Sequence, residues 1–244
     1  MNIESIVVLG SKPDTCLPDV SPKVVFGANG AVESALPYRE KYNSKIVGVV
    51  PSIELRKHGH IQDSIKKASP DKMIVFGNNA GIISFIHNDM GLPNTEVELI
   101  SNKERQSRIV SMMGWRIIPV SINRISSRGL LRGLKYLIRK VVPDILFSRD
   151  KDWISHSTGL DSVMYAMSAF PQANVITAGI GLQGGAHFNN QGEFMSKTAI
   201  ADRRTMKYWP FEKRKNVYTT DDVMAEIGNV PKWEGKIFNK SEVV

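Results

Sequence analysis

Short apolar runs that end in Gly, Asn or Pro alternate with helical patterns along the chain. These runs predict strands over residues 6–9, 24–26, 46–50, 73–76, 97–100, 115–120, 145–147 and 174–178. Helices are predicted over residues 31–42, 102–112, 128–141, 159–170 and 219–227. Asn102 is the expected cap of the second helix, and Thr219 or Thr220 of the last. The pattern is typical of a mostly parallel sheet flanked by helices, so we predict one α/β domain of modified Rossmann type over residues 1–244.

The turns after the predicted strands are candidate ligand-binding segments, because ligands of such sheets lie at the carboxyl ends of the strands. Gly10 and Ser11 follow the first strand, and Asn29 lies in the turn after the second.

A hydroxyl pair, Ser157 and Thr158, and the adjacent Gly159 precede an apolar helix. Free backbone N–H groups and two hydroxyls at a helix N-terminus form a good phosphate site. An ordinary helix cap without a ligand gives the same pattern, so both interpretations stay open at this point.

The positive charge of the chain is concentrated in one segment. The net charge is +8, and no Asp or Glu occurs between Arg105 and Pro143, a stretch that holds nine Lys and Arg residues. Within the predicted helix and just before it, five cations recur at steps of three or four: Arg124, Arg128, Arg132, Lys135 and Arg139. Such a stripe is either a solvated face or a contact with anionic lipid or a lipid-linked acceptor. No nucleic-acid-binding module is recognised, and we expect no nucleic acid partner.

The remaining composition favours a cytoplasmic protein. No run approaches the roughly 18 apolar residues that span a bilayer, and the N-terminus has no signal-peptide pattern. The single Cys16 leaves no internal disulfide. The basic stripe adds the option of peripheral attachment to the inner membrane face.

Four short segments resemble sialyltransferases of the animal type and the related bacterial transferases for Kdo, an acidic sugar. H-S-T-G-L-D-S-V-M-Y-A-M-S-A-F, followed by V-I-T-A-G-I, resembles their small sialyl motif. V-V-L-G-S-K-P and V-V-F-G-A-N-G-A are similar to their first and second nucleotide-binding turns, and G-G-A-H-F to a short His-aromatic motif.

The resemblance implies transfer of a sialic-acid- or Kdo-like sugar from a CMP-activated donor to a hydroxyl of a bacterial surface glycan, with no cofactor required. It implies that Gly10, Ser11 and Asn29 line the nucleotide pocket. Ser157, Thr158 and Gly159 would hold the phosphate.

Two residues are catalytic candidates. His187 lies on a predicted loop, where its imidazole can take the proton of the acceptor hydroxyl or hydrogen-bond the leaving phosphate; an exposed loop histidine without a role fits the same position. The last segment of the family pattern corresponds to residues 198–204, in which Asp202 matches the acid but no histidine occupies the expected place. Asp202 is therefore the second candidate.

Two alternatives come from other features. Asp150 and Asp152 form a D-x-D triplet after a predicted strand, which resembles the metal site of glycosyltransferases that use a nucleotide-diphosphate sugar with Mg²⁺ or Mn²⁺. The second alternative is a non-catalytic, membrane-surface partner of envelope glycan assembly, which the missing histidine fits.

Overall fold

A computed structural model describes residues 4–12, 15–77, 80–113, 156–182 and 197–239 of the chain. The predicted strands over residues 115–120 and 145–147 and the predicted helix over residues 128–141 lie outside the described residues.

Seven strands form one sheet in which every neighbouring pair is parallel. They are β1 (Ser5–Leu9), β3 (Val24–Ala28), β4 (Lys45–Pro51), β5 (Lys72–Phe76), β6 (Glu96–Ile100), β7 (Asn174–Ala178) and β8 (Val217–Thr219). Their order across the sheet is β6-β5-β4-β3-β1-β7-β8. Near the centre, Val7 of β1 lies opposite Val25 of β3 and Ile176 of β7. The predicted α/β fold with a parallel sheet is confirmed.

Helices cover both faces of the sheet, because successive residues of each central strand are apolar on both sides. After the 3₁₀ helix Asn29–Ala35 come α1 (Leu36–Tyr42), α2 (Ser52–Lys57), α3 (Gly59–Ala68), α4 (Ile82–Ser84), α5 (Asn102–Met113), α6 (Thr158–Ala169), α7 (Lys197–Tyr208), α8 (Phe211–Arg214) and α9 (Asp222–Gly228). Val7 and Leu9 of β1 pack in one core with residues of the 3₁₀ helix and of α1 to α4. Ile6 and Val8 pack in the other core with residues of α5, α6, α7 and α9.

Two predicted helix starts are wrong. Thr219 lies in β8, where it is the register partner of Thr177 and its N–H donates to the carbonyl of Pro231 (3.0 Å). The last helix begins only at Asp222 after Asp221. The helix predicted to be capped by Asn102 is capped by Ser101 instead. The Ser101 hydroxyl accepts from the N–H of Glu104 (3.2 Å), and the Glu104 carboxylate accepts from the N–H of Ser101 (2.8 Å). This reciprocal pair is a capping box.

A small antiparallel pair of strands lies apart from the main sheet. It joins β2 (Cys16–Pro18) to β9 (Ile237–Asn239) and was not predicted. Each strand has only three residues, which is too short for an alternating pattern to be recognised in the sequence.

Candidate functional site

The strand order reverses beside β1, which is the position where open parallel sheets bind ligands. From β1 the chain builds the sheet outward through β3 to β6 and then returns to the other side of β1 as β7. At the carboxyl ends of these strands the two backbones touch. The N–H of Gly10 donates to the carbonyl of Ala178 (2.8 Å), and the N–H of Lys12 donates to the carbonyl of Gly179 (3.0 Å).

Glycine is required on both sides of this contact. Gly179 has φ +75°, and a Cβ there would lie 2.7 Å from the carbonyl oxygen of Gly10. A Cβ at Gly10 would overlap the carbonyl of Gly179. Gly10, a predicted nucleotide-pocket residue, thus permits the close approach of β1 and β7, whatever ligand the edge binds.

Asp221 joins the ends of three strands at this edge. One of its carboxylate oxygens accepts from the N–H groups of Gly179 (2.7 Å) and Ile180 (3.2 Å), and the other pairs with the ammonium of Lys12 (3.5 Å). Burial raises the pKa of Asp221 above its ordinary value, against the effect of Lys12. No pattern in the sequence marked Asp221 as a site residue.

Ser11 and Asn29, two predicted nucleotide-pocket residues, follow the ends of the neighbouring strands β1 and β3. The hydroxyl of Ser11 donates to the carbonyl of Ala28 at 3.5 Å, a long hydrogen bond. Asn29 has a left-handed backbone (φ 52°), and its side-chain oxygen is buried with no hydrogen-bond partner among the described residues.

Ser157, which was predicted either to bind phosphate or to be an ordinary helix cap, caps α6 in the structure. Ser157 has an extended backbone, and its hydroxyl accepts from the N–H of Leu160 at 3.2 Å. The helix α6 precedes β7, so its N-terminus lies at the carboxyl edge of the sheet. A Cβ at Gly159 would lie 3.5 Å from the side chain of Ile180, which follows β7. The Ser157, Thr158 and Gly159 turn therefore stands beside the point where the strand order reverses.

Asp202, from α7, reaches this turn. Its carboxylate accepts from the N–H of Ser157 at 2.9 Å, and its side chain is completely buried. Its second oxygen, Oδ2, has no hydrogen-bond partner among the described residues. Burial raises the pKa of Asp202 to about 6, and hydrogen bonds from Ser157 offset only part of that effect.

A second buried carboxylate, Asp161, lies in the first turn of α6 and belongs to an ionic cluster. Arg105 of α5 forms a close ion pair with it and also donates to the carbonyl of His156 (3.0 Å). The His156 ring lies 3.7 Å from the Asp161 carboxylate through Nδ1 and 2.6 Å from the Thr205 hydroxyl through Nε2. Thr205 lies on α7 one turn after Asp202. The cluster thus holds α5, α6 and α7 in fixed positions around the turn.

Seven predicted site residues lie outside the described residues: His187, Arg128, Arg132, Lys135, Arg139, Asp150 and Asp152. Within the described ranges, no group of three or more His, Cys, Asp and Glu side chains is arranged to hold a metal ion. In the same ranges no helix has the length and apolar character needed to cross a membrane.

No protein-family model matches this chain, and comparisons with the curated proteins and with the solved structures found no match.

Three residues of the ionic cluster were not predicted as parts of the site: Arg105, Asp161 and Thr205. One signal for Asp161 was present, because it is an acid inside the apolar stretch that follows Gly159. No comparable signal marked its partners. Arg105 was one of nine cations in the basic segment, and its role depends on the packing of α5 against α6.

Proposed function

We propose that this protein transfers a sialic-acid- or Kdo-like sugar from a CMP donor to a hydroxyl group of a bacterial surface glycan. The observation that most supports the proposal is the position of the Ser157, Thr158 and Gly159 turn. It opens a helix of 12 residues at the carboxyl edge of a parallel sheet, beside the reversal of the strand order. The resemblance to CMP-sugar transferases rests on the same turn and on the turns at Gly10 and Asn29.

The donor phosphate binds at the first turn of α6. A helix leaves its first N–H groups without internal partners and carries a partial positive charge at that end. Ser157 already donates its N–H to Asp202, so the N–H groups of Thr158 and Gly159 and the hydroxyl of Thr158 hold the phosphate. Ser11 and the free amide oxygen of Asn29 contact the nucleoside part of the donor.

In the reaction, an oxygen of the acceptor attacks the anomeric carbon, and the bond from that carbon to the phosphate oxygen breaks. The phosphate leaves with the bonding electron pair, and donors at α6 stabilise its growing charge. A base removes the acceptor proton. Asp202 is completely buried and accepts a hydrogen bond from the N–H of Ser157, so in this scheme it positions the turn that binds the phosphate. His187 removes the proton from the acceptor hydroxyl.

The first experiment is a thermal-shift comparison of CMP, CDP, UDP and GDP in the presence of a chelator. A ligand that binds only the native state raises its apparent stability. CMP is expected to raise the melting temperature without divalent metal. Stabilisation by UDP or GDP only, and only with Mg²⁺ or Mn²⁺, would replace this proposal by the metal-dependent alternative built on Asp150 and Asp152.

The second experiment replaces Thr158 with Val. Loss of one hydrogen bond to the charged phosphate is expected to weaken CMP binding by about 1.5–3 kcal/mol. Binding of cytidine, which lacks the phosphate, is expected to stay unchanged in calorimetry. Thr95→Val is the matched control, because it removes a hydroxyl that bonds to the carbonyl of Pro70 at the opposite edge of the sheet. Equal losses for CMP and cytidine would mean that Thr158 does not contact phosphate.

We further propose that the enzyme works at the inner face of the cytoplasmic membrane, where a lipid-linked acceptor is held. The support is the charge pattern of the sequence: Arg128, Arg132, Lys135 and Arg139 lie on one predicted helix face in a segment without acids.

A further inference from the structure

The N-terminus of α6 already carries a negative group of the protein's own. Asp202 accepts a hydrogen bond from the N–H of Ser157 at 2.9 Å, and none of its side chain is exposed to solvent. Its Oδ2 atom has no hydrogen-bond partner in the described parts of the chain. The carboxylate thus occupies the same helix end at which a phosphate would bind, adjacent to Thr158 and Gly159.

The charges around Asp202 do not neutralise it. Asp161 in α6 is a second acid, and the Arg105 guanidinium of α5 is paired with Asp161. The guanidinium of Arg203, its neighbour on α7, donates to the carbonyl of Leu182. Among the described residues, His156, just before α6, is a further titratable group near Asp202, and its charge acts to lower the pKa of Asp202. No cation among the described residues forms an ion pair with Asp202.

Two ionised acids cannot share one helix end without strong repulsion, and the usual result is that one of them holds a proton. A phosphate bound to Thr158 and Gly159 would put its charge next to the buried carboxylate of Asp202. Burial already favours the neutral form of this carboxyl, so a proton from solvent is readily accepted there near neutral pH. A neutral Asp202 can also donate a hydrogen bond through Oδ2.

We propose that Asp202 determines which ionic form of a phosphoryl ligand the site accepts: the ligand binds together with one proton on Asp202, and singly charged phosphodiesters bind better than doubly charged phosphomonoesters. This inference rests on the proposed function. A CMP-linked sugar is a phosphodiester, and free CMP is a monoester. Asp202 would therefore help the site to hold the donor and to release the nucleotide product.

The test measures binding by titration calorimetry between about pH 6 and pH 8. The probe is the methyl ester of CMP, a phosphodiester whose charge does not change in this range. Its affinity for the wild-type protein is expected to fall by roughly tenfold for each pH unit above the pKa of Asp202. In Asp202→Asn the affinity is expected to be independent of pH. Asp71→Asn, the same chemical change at the opposite edge of the sheet, is expected to keep the wild-type pH dependence.

A second measurement does not depend on the folding of any variant. Titration of the wild-type protein at about pH 7.5 in two buffers of different ionisation enthalpy is expected to show uptake of about one proton with the methyl ester. Absence of proton uptake, or pH dependence that persists in Asp202→Asn, would overturn the inference while leaving the proposed function intact. Failure of both CMP and its methyl ester to bind the wild-type protein would overturn both.

Discussion

Replacing Asp202 with Asn is expected to raise the free energy of unfolding at neutral pH and to change it little near pH 4. The carboxylate is buried completely, which raises its pKa from 3.8 to about 6. An Asn side chain keeps an oxygen to accept the hydrogen bond from Ser157 and carries no charge, so it removes the burial cost of the ionised group.

The direction of this change with pH follows from how tightly the folded and the unfolded protein bind the Asp202 proton. The folded protein holds the Asp202 proton more tightly than the unfolded chain does, so the stabilisation from this proton is fully present below pH 3.8 and is lost as the pH rises through about 6. The difference between the two pKa values corresponds to about 3 kcal/mol. The free energy of unfolding of Asp202→Asn relative to wild type should therefore rise by up to about 3 kcal/mol between pH 4 and pH 7.

Urea unfolding at several pH values measures this difference directly. Asp71→Asn is an internal control, because its relative free energy of unfolding should change with pH in the opposite direction. Although burial acts to raise it, hydrogen bonds from the N–H of Ile46 (2.8 Å) and from Arg39 (3.0 Å) hold the pKa of Asp71 below its ordinary value. The stabilisation from Asp71 is thus present at neutral pH and is lost in acid. A relative stability of Asp202→Asn that is flat or falls with rising pH would refute the reasoning.

Three further changes test other parts of the structure. Gly179→Ala places a Cβ 2.7 Å from the Gly10 carbonyl oxygen in a left-handed backbone. The free energy of unfolding measured in urea should therefore fall by at least about 1–2 kcal/mol. The control Gly59→Ala adds a Cβ with nothing within 4 Å and should not lower it. Arg105→Met leaves the buried Asp161 carboxylate without its cation and should cost about 3–5 kcal/mol in the same assay, part of which a second change, Asp161→Asn, should restore. Sedimentation with anionic vesicles at low salt should be lost, and CMP binding kept, when Gln replaces the basic residues Arg128, Arg132 and Arg139.

The strands of the main sheet were predictable because parallel strands are buried on both faces. Most of them are short, mainly apolar runs, although β6 includes Glu96 and Glu98, and the predicted bounds of residues 174–178 agree with β7 to the residue. The strand β8 gave no such signal, since Val217, Tyr218 and Thr219 mix apolar and polar residues and follow a basic turn. Its place in the sheet comes from pairing with β7, which is a tertiary contact.

The helices were less predictable than the strands. The helices α2, α3 and α7 were not predicted, and each carries many charged and polar residues. In α3 the buried residues Ile61, Ile65 and Ala68 recur at steps of three and four, so the periodicity of one face was present in the sequence. In α7 the buried residues include Asp202 and Thr205, and polar residues at buried positions conceal the apolar face.

The surroundings of the site residues could not be predicted from their positions in the sequence. Asp202 and Ser157 were both candidates, but 45 residues separate them, and only the packing of α7 against the start of α6 makes them neighbours. That packing buries the carboxyl group of Asp202 and so changes its pKa. An exposed aspartate has an ordinary pKa, whereas Asp202 is buried against a helix N-terminus and its pKa is raised to about 6. The residue type was visible in the sequence, and its protonation depends on three helices that meet in space.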